Sequence, residues 1–171
     1  MTEQTLPADS PAGLEIALGS IASGVTLVMV ADGREDVGVT VSAFCPISLR
    51  PALVLISLME ESYPAELLGR IDRFAVTVLG SGQRVLAGRF TASGRPGARL
   101  ALDDVRYHRG ASSGALIVDD GLASMECEVV NRVPAGDHLL VIGRVLAVSN
   151  LADTDQPLVR FRGRYAALAG T

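Results

Sequence analysis

Few side chains in this chain can do chemistry, and they stand far apart. Its 171 residues include two histidines, His108 and His138, two cysteines, Cys45 and Cys127, and no tryptophan. Residues so scattered offer no metal-ligand spacing. No Walker phosphate loop or Gly-x-Gly-x-x-Gly fingerprint occurs, which removes the P-loop and Rossmann readings. What is left is His138, beside Asp137 at the head of an apolar run, and the stretch GVTVSAFCPISLRPALVLISL, Gly38 to Leu58. At a strand start His138 can be a metal ligand, an acid–base catalyst, a contact for a bound cofactor or an ordinary strand-end residue. In the second stretch a strand runs out into Thr40 and Ser42, then a proline-containing loop, then another apolar strand. Hydroxyls and free backbone N–H groups at a strand end suit an anion such as a phosphate. Small Ala43 would also let backbone approach a planar ring. The alternative is a barrel corner whose Ser and Thr satisfy local backbone groups.

The elements that must position these residues are mostly strands. VTLVMVA, VGVTVSAF, ALVLISL, RFAVTVL, ALIV, MECEVVNRV and HLLVIGRVLAV all have strand character. Short helices are predicted for Leu14–Ala22, with Leu14, Ala17, Leu18 and Ile21 on one face, and within ESYPAELLGR and GQRVLAGRF. CPISLRP reads as irregular, and Thr91–Ser113, rich in Gly, Arg and Ala, reads as a long surface connection. Between Met125 and Val133 the alternation places Met125, Cys127, Val129 and Val133 on one face and Glu126, Glu128 and Arg132 on the other, a sheet with one wet side. PAGD before His138 is hairpin-turn chemistry. Six to eight strands without a βαβ rhythm predict one closed or nearly closed antiparallel barrel.

Composition narrows the partners. The net charge is −4 and every basic residue is arginine, with no basic tract, so nucleic acid is excluded as a partner. No apolar run reaches the ~18 residues of a membrane span, so no membrane is expected. Residues 1–13 read as a flexible polar tail without the basic start of an export signal, and 14–171 as a single domain. Two thiols without such a signal read as reduced, which predicts a cytoplasmic protein. Cys127 reads as core, Cys45 as packing and His108 as surface.

The ordered set SGVTLVMVADG, GVTVSAFCPISLRPALVLISL, FAVTVLGSGQRVLAGRF, MECEVV, AGDHLLVIGRV and PLVRFRGRY resembles the flavin reductase family, over roughly Ile16 to Leu168. The resemblance implies a mainly β fold, an antiparallel Greek-key split β-barrel with a few short helices. It implies a homodimer that uses NADH or NADPH to reduce FMN or FAD, the reduced flavin passing by diffusion to a partner flavin-dependent monooxygenase. Two rival readings stay open beside it: a flavoprotein that keeps its flavin and acts on an organic substrate, and a non-catalytic flavin-binding protein.

The resemblance further implies that Thr40, Val41, Ser42 and Ala43 line the flavin, largely through backbone. Ser57, Leu58, Met59, Ser62 and Tyr63 would approach the ribityl-phosphate, with Gln83 flanking the same site. His138 would contact the nicotinamide; no side chain is assigned as catalytic and none as a metal ligand. One arginine of Arg160, Arg162 and Arg164 would meet a cofactor phosphate, the alternative being a solvated strand face. The chain departs from the family pattern at three places. Asp-Pro-Pro is replaced by Arg50-Pro51-Ala52, Ser-x-Thr by Ser62-Tyr63-Pro64, and the Asn of FAVNVL by Thr77.

Overall fold

The structure, a computed structural model, describes residues 11–33, 35–91, 97–152 and 156–168. Helix α1 (Pro11–Gly19) leads through β1 (Ser23–Gly24) into β2 (Thr26–Ala31), β3 (Asp36–Val41), β4 (Phe44–Leu49) and β5 (Ala52–Met59). Helix α2 (Tyr63–Arg70), β6 (Arg73–Val78), a 3-10 turn (Ser81–Gln83) and helices α3 (Arg84–Arg89) and α4 (Ala98–Ala101) come next. The chain continues with β7 (Tyr107–Arg109), β8 (Leu116–Val118), the long pair β9 (Ala123–Ala135) and β10 (His138–Ser149), and the hairpin β11 (Leu158–Phe161) and β12 (Arg164–Ala167).

Seven of these strands make one antiparallel sheet in the order β3-β2-β6-β9-β10-β5-β4. Its two edge strands, β3 and β4, are consecutive in the chain and separated only by Ser42 and Ala43. The sheet must therefore roll up until its edges meet at that corner. No ladder joins β3 to β4, so the roll is closed at the corner and open along the seam beyond it. The fold is mainly β and antiparallel, with a few short helices.

Alternation along each strand then builds two cores. Val28, Val30, Val54, Ile56, Phe74, Val76, Cys127 and Val141 point into the roll. Leu27 and Met29 point the other way, onto Phe90, Leu102 and Ile117 of the segments outside it. Strand β2 is thus buried on both faces, which is why VTLVMVA is a continuous apolar run rather than an alternating one. Helix α2 plugs one end of the roll with Leu67 and Leu68. Ser62 caps its first turn, and Arg132 Nε donates to the Leu68 carbonyl at 2.5 Å.

Several local expectations are corrected. CPISL is not irregular but forms most of β4, a sheet edge, where the missing N–H of Pro46 is tolerated and the register slips between Pro46 and Ser48. The segment read as a surface connection carries α4 and β7 and buries Ala98, Ala101 and Leu102; residues 92–96 lie outside the described set. Two of its arginines converge on one buried carboxylate, Asp36. Arg109 makes a two-pronged contact with Asp36 at 2.9 Å on each prong, and Arg99 Nε donates to it at 2.9 Å. Burial raises the Asp36 pKa, but the bonds from Arg109 and Arg99 outweigh it and hold the carboxyl below its ordinary value.

Glu126 is likewise not on a wet face, being 8% exposed. Its carboxylate accepts from the Ser112 and Ser113 N–H groups and the Ser113 hydroxyl. A register shift opposite Ile142 and Gly143 flips the remainder of β9, so Val133 pairs with Leu140 on the outer face instead of sharing the inner face with Val129. Helix α1 begins and ends three residues earlier than Leu14–Ala22, and it buries none of its residues. The arginines of PLVRFRGRY do not form one stripe. Arg162 and Gly163 make a two-residue turn, both at positive φ, with the Arg162 guanidinium over the Phe161 ring.

Candidate functional site

The corner between β3 and β4 is the natural place to build from, because the sheet leaves it incompletely paired. The backbone N–H groups of Ser42 and Ala43 donate to none of the described residues, although the Ala43 carbonyl accepts from Ser57 N–H at 3.0 Å. Ala43 is exposed and Ser42 half-buried. Two unpaired donors, a free hydroxyl and a methyl side chain thus stand together at a surface edge.

The neighbouring strands extend this edge. In the β5–β10 ladder Ser57 lies opposite Leu140, and Met59 opposite His138. Directly opposed residues share a face, and Ser57 and Met59 are two apart. The corner, Ser57, Met59 and His138 therefore lie along the outer face of the roll. The tight β9–β10 turn consists of Gly136, at φ +65°, and Asp137. It is tied to the end of β5 by Glu60 N–H donating to the Asp137 carbonyl at 2.9 Å. His138 Nδ1 lies 2.6 Å from Asp137 Oδ1, and this contact lowers the Asp137 pKa.

Other predicted residues take different positions. Val41 and Leu58 point into the barrel core, at 4% and 3% exposure, so only their backbone reaches the corner. The Thr40 hydroxyl turns to the far side and donates to the Ala87 carbonyl at the end of α3. Thr91 donates to the same carbonyl, which leaves Tyr165 to donate to the Thr91 hydroxyl at 3.1 Å. The first turn of α2 holds Ser62 as its cap and Tyr63, whose hydroxyl donates to Asp32 at 2.8 Å. That bond raises the Tyr63 pKa. Asp32 is also paired with Arg70. Neither Asp32 nor Arg70 was singled out from sequence; the only available signal was a carboxylate in a β-turn. Gln83 folds back so that its side-chain oxygen accepts from Gly80 N–H at 2.9 Å. Thr77, where the family pattern has Asn, faces Ser124 in a buried hydroxyl pair away from the corner.

The remaining candidates are quickly placed. His108 is exposed on β7 and bonds Asp119, and Cys127 is fully buried with its thiol pushed up to about 12 by burial. Cys45 is exposed on β4. Among the described residues no group of three His, Cys, Asp or Glu side chains is placed to hold a metal ion. No helix there is long and apolar enough to cross a membrane. A groove between α1 and the β11–β12 turn, lined by Glu15, Ile16, Gly19, Arg160, Arg162 and Gly163, holds two of the three arginines of which one is expected to meet a cofactor phosphate.

The arrangement suits a flat heteroaromatic ring with acceptors along one edge. Unpaired backbone donors at a corner without bulk satisfy such acceptors, and the outer face of β5 and β10 provides a surface beside them. The family model described as "Flavin reductase like domain" matches residues 18–169. The chain is 38% identical to the NADH-dependent FMN reductase AsuE2 of Streptomyces nodosus, across 89% of this chain and 82% of that protein. It is 34% identical to the reductase component of a Thermus thermophilus 4-hydroxyphenylacetate 3-monooxygenase, covering 89% of this chain and 93% of that one. Among solved structures, the NADH:FAD oxidoreductase SgcE6 of Streptomyces globisporus, in complex with NAD and FAD fragments, superposes with a TM-score of 0.88. It shares 28% identity and 98% of each chain is covered.

Proposed function

The chain belongs to the flavin reductase family, and from that premise we propose that it oxidises NADH, or NADPH, and passes the hydride to FMN or FAD. The reduced flavin then leaves by diffusion for a flavin-dependent monooxygenase. Curated relatives named as NADH-dependent FMN and FAD reductases support the first step. Relatives named as reductase components of two-component systems support the second. The observation in this chain that carries the reading is the corner at Ser42 and Ala43, with its two unpaired N–H donors.

When bound, the flavin supplies the acceptor at N5 for a hydride from the nicotinamide, a two-electron transfer that needs no metal and no protein nucleophile. The chain's own task is orientation, since the two rings must stack with donor and acceptor atoms ~3–3.5 Å apart. The backbone of Thr40 to Ala43 would hold the ring edge. Ser57, Leu58 and Met59 would support it along β5, and Ser62, Tyr63 and Gln83 would bound the ribityl-phosphate end. His138 would meet the nicotinamide on the same outer face. The replacement of a Ser-x-Thr hydroxyl by Pro64 fits a flavin held loosely enough to leave.

The unit that does this is the domain 14–171, in the cytoplasm, a location that the two unpaired thiols fit. It would act as a homodimer. Met59 and Val133 on the outer face, with Ile47 and Leu49 on the β4 edge, are exposed apolar surface that a second copy would cover and that a lone soluble chain rarely leaves open. Steady-state oxidation of NADH and NADPH, each with FMN, FAD and riboflavin, tests the proposal. Turnover that requires added flavin supports it. Flavin that copurifies in equal amount, with turnover independent of added flavin, would mark a flavoprotein acting on another substrate.

A further inference from the structure

Asp137 has no part in the reading above, yet its geometry constrains the residue that does. Its backbone is fixed twice: it occupies a two-residue turn after Gly136 at positive φ, and its carbonyl accepts from Glu60 N–H at the end of β5. Its side chain, from this fixed base, reaches the ring of the next residue, with Oδ1 2.6 Å from His138 Nδ1. The His138 bond also keeps the carboxyl pKa low, so at neutral pH the group is a carboxylate. A carboxylate can only accept, so the proton in this contact belongs to Nδ1. His138 Nε2 has no hydrogen-bond partner among the described residues, and the side chain is 39% exposed. In a neutral imidazole with its proton on Nδ1, Nε2 is an acceptor.

We propose that Asp137 is a positioning residue that holds the His138 proton on Nδ1 and so presents Nε2 as a hydrogen-bond acceptor for the –NH2 of the nicotinamide carboxamide. The proposal rests on the reading that His138 meets the nicotinamide. It adds a direction to that contact: the protein receives the hydrogen bond and the dinucleotide donates it. A structural strand-end histidine would show no preference for a donor in the substrate.

Two measurements test it. Nitrogen-15 spectra of the histidine rings at neutral pH, with His138 assigned by its loss in His138→Ala, report which nitrogen carries the proton. The wild type should show Nδ1 protonated and Nε2 bare. Asp137→Asn should keep that pattern, because the amide oxygen still accepts, and Asp137→Ala should move the proton toward Nε2. Flavin reduction is then timed with NADH and with the reduced 3-acetylpyridine analogue, whose methyl ketone has no N–H to donate. Comparing the NADH-to-analogue rate ratio of each variant with that of the wild type cancels the intrinsic difference between the donors. The ratio should fall about two- to tenfold in Asp137→Ala and in His138→Ala, the worth of one hydrogen bond, and hold in Asp137→Asn. A wild-type proton on Nε2 or on both nitrogens, or a pattern unmoved in Asp137→Ala, overturns the positioning role itself. A pattern that moves as expected beside a ratio equal in all variants, His138→Ala included, overturns the proposal through its premise, because His138 then does not meet the nicotinamide.

Discussion

Strands β2 and β6 and strands β4, β5 and β10 belong to one sheet but are finished differently. The first pair is covered on both faces by the chain itself, with the roll's interior on one side and α3, α4 and β8 on the other. The second group is covered on the inside only. Its outer face carries Met59 at 62% exposure, the end of edge strand β4 leaves Leu49 at 92%, and the corner with its unpaired donors opens onto the outer side. Burial on both faces gives a rigid frame with no room for a ligand. The unfinished half holds apolar area and hydrogen-bond donors that contribute nothing to a single chain, so their worth lies in what docks there. Stability and function are thus carried by opposite halves of a continuous sheet.

Substitutions in each half can break that contrast. The largest effect belongs to Phe74→Ala on β6, whose fully buried ring packs against Gly143. A loss of about 3–5 kcal/mol in denaturant unfolding is expected; an equal loss from truncating exposed Leu49 would erase the distinction. Next comes Asp36→Asn, which leaves Arg99 and Arg109 without their carboxylate and should cost about 1.5–3 kcal/mol at neutral pH. The folded-state pKa of Asp36 is depressed, so the wild-type advantage is full above the ordinary aspartate range. It disappears as pH falls through that range to the lower folded-state value, because the unfolded chain takes up its proton first. Stability curves of the two proteins should therefore converge in acid, and parallel curves would show that the clasp is not ionic.

In the unfinished half, effects should appear in assembly and binding. Ile47→Asp places a charge on the exposed apolar β4 edge and should weaken self-association roughly tenfold or more, with little change in the stability of the single chain. Sedimentation across a concentration series reads this directly; an unchanged association constant would put the dimer contact elsewhere. The smallest expected change is Ser42→Asp at the corner. A negative charge there should weaken FMN binding by ~1 kcal/mol, about fivefold, in fluorescence titrations. Unaltered affinity would move the flavin off the Ser42–Ala43 edge.

The same division explains what could be read before the fold was in view. Strands β2 and β6 were legible because strands buried on both faces announce themselves by unbroken apolar runs, β5 and β10 because even their open face is largely apolar, and α2 because Ser62 and Pro64 mark a helix start. Strand β4 was not, since Pro46 argues against a strand unless the residue is known to sit on an edge, and edges are set by the whole sheet. The same holds for Glu126 and for Arg99 and Arg109: a charged residue reads as solvated until its partner is found, and the partners lie far away in sequence. The corner could be read from its hydroxyls and the family pattern. The inward aim of Val41 and Leu58, and the use of the Thr40 hydroxyl by α3, depend on strand parity and on a helix joined much later in the chain.

The strand order also sets an itinerary for the chain as it folds. Within the seven-stranded sheet three ladders, β2–β3, β4–β5 and β9–β10, join neighbours in sequence and can close as local hairpins, on the order of microseconds each. The other three, β2–β6, β6–β9 and β5–β10, each await the closure of a long loop. Since β5 meets β10 only across one of these joints, Met59 and His138 face each other only after the distant hairpins have docked. The surface proposed for the two cofactors is thus assembled by the slowest class of contact in the molecule, and a flavin or dinucleotide that binds there will recognise completed chains and pass over partly folded ones.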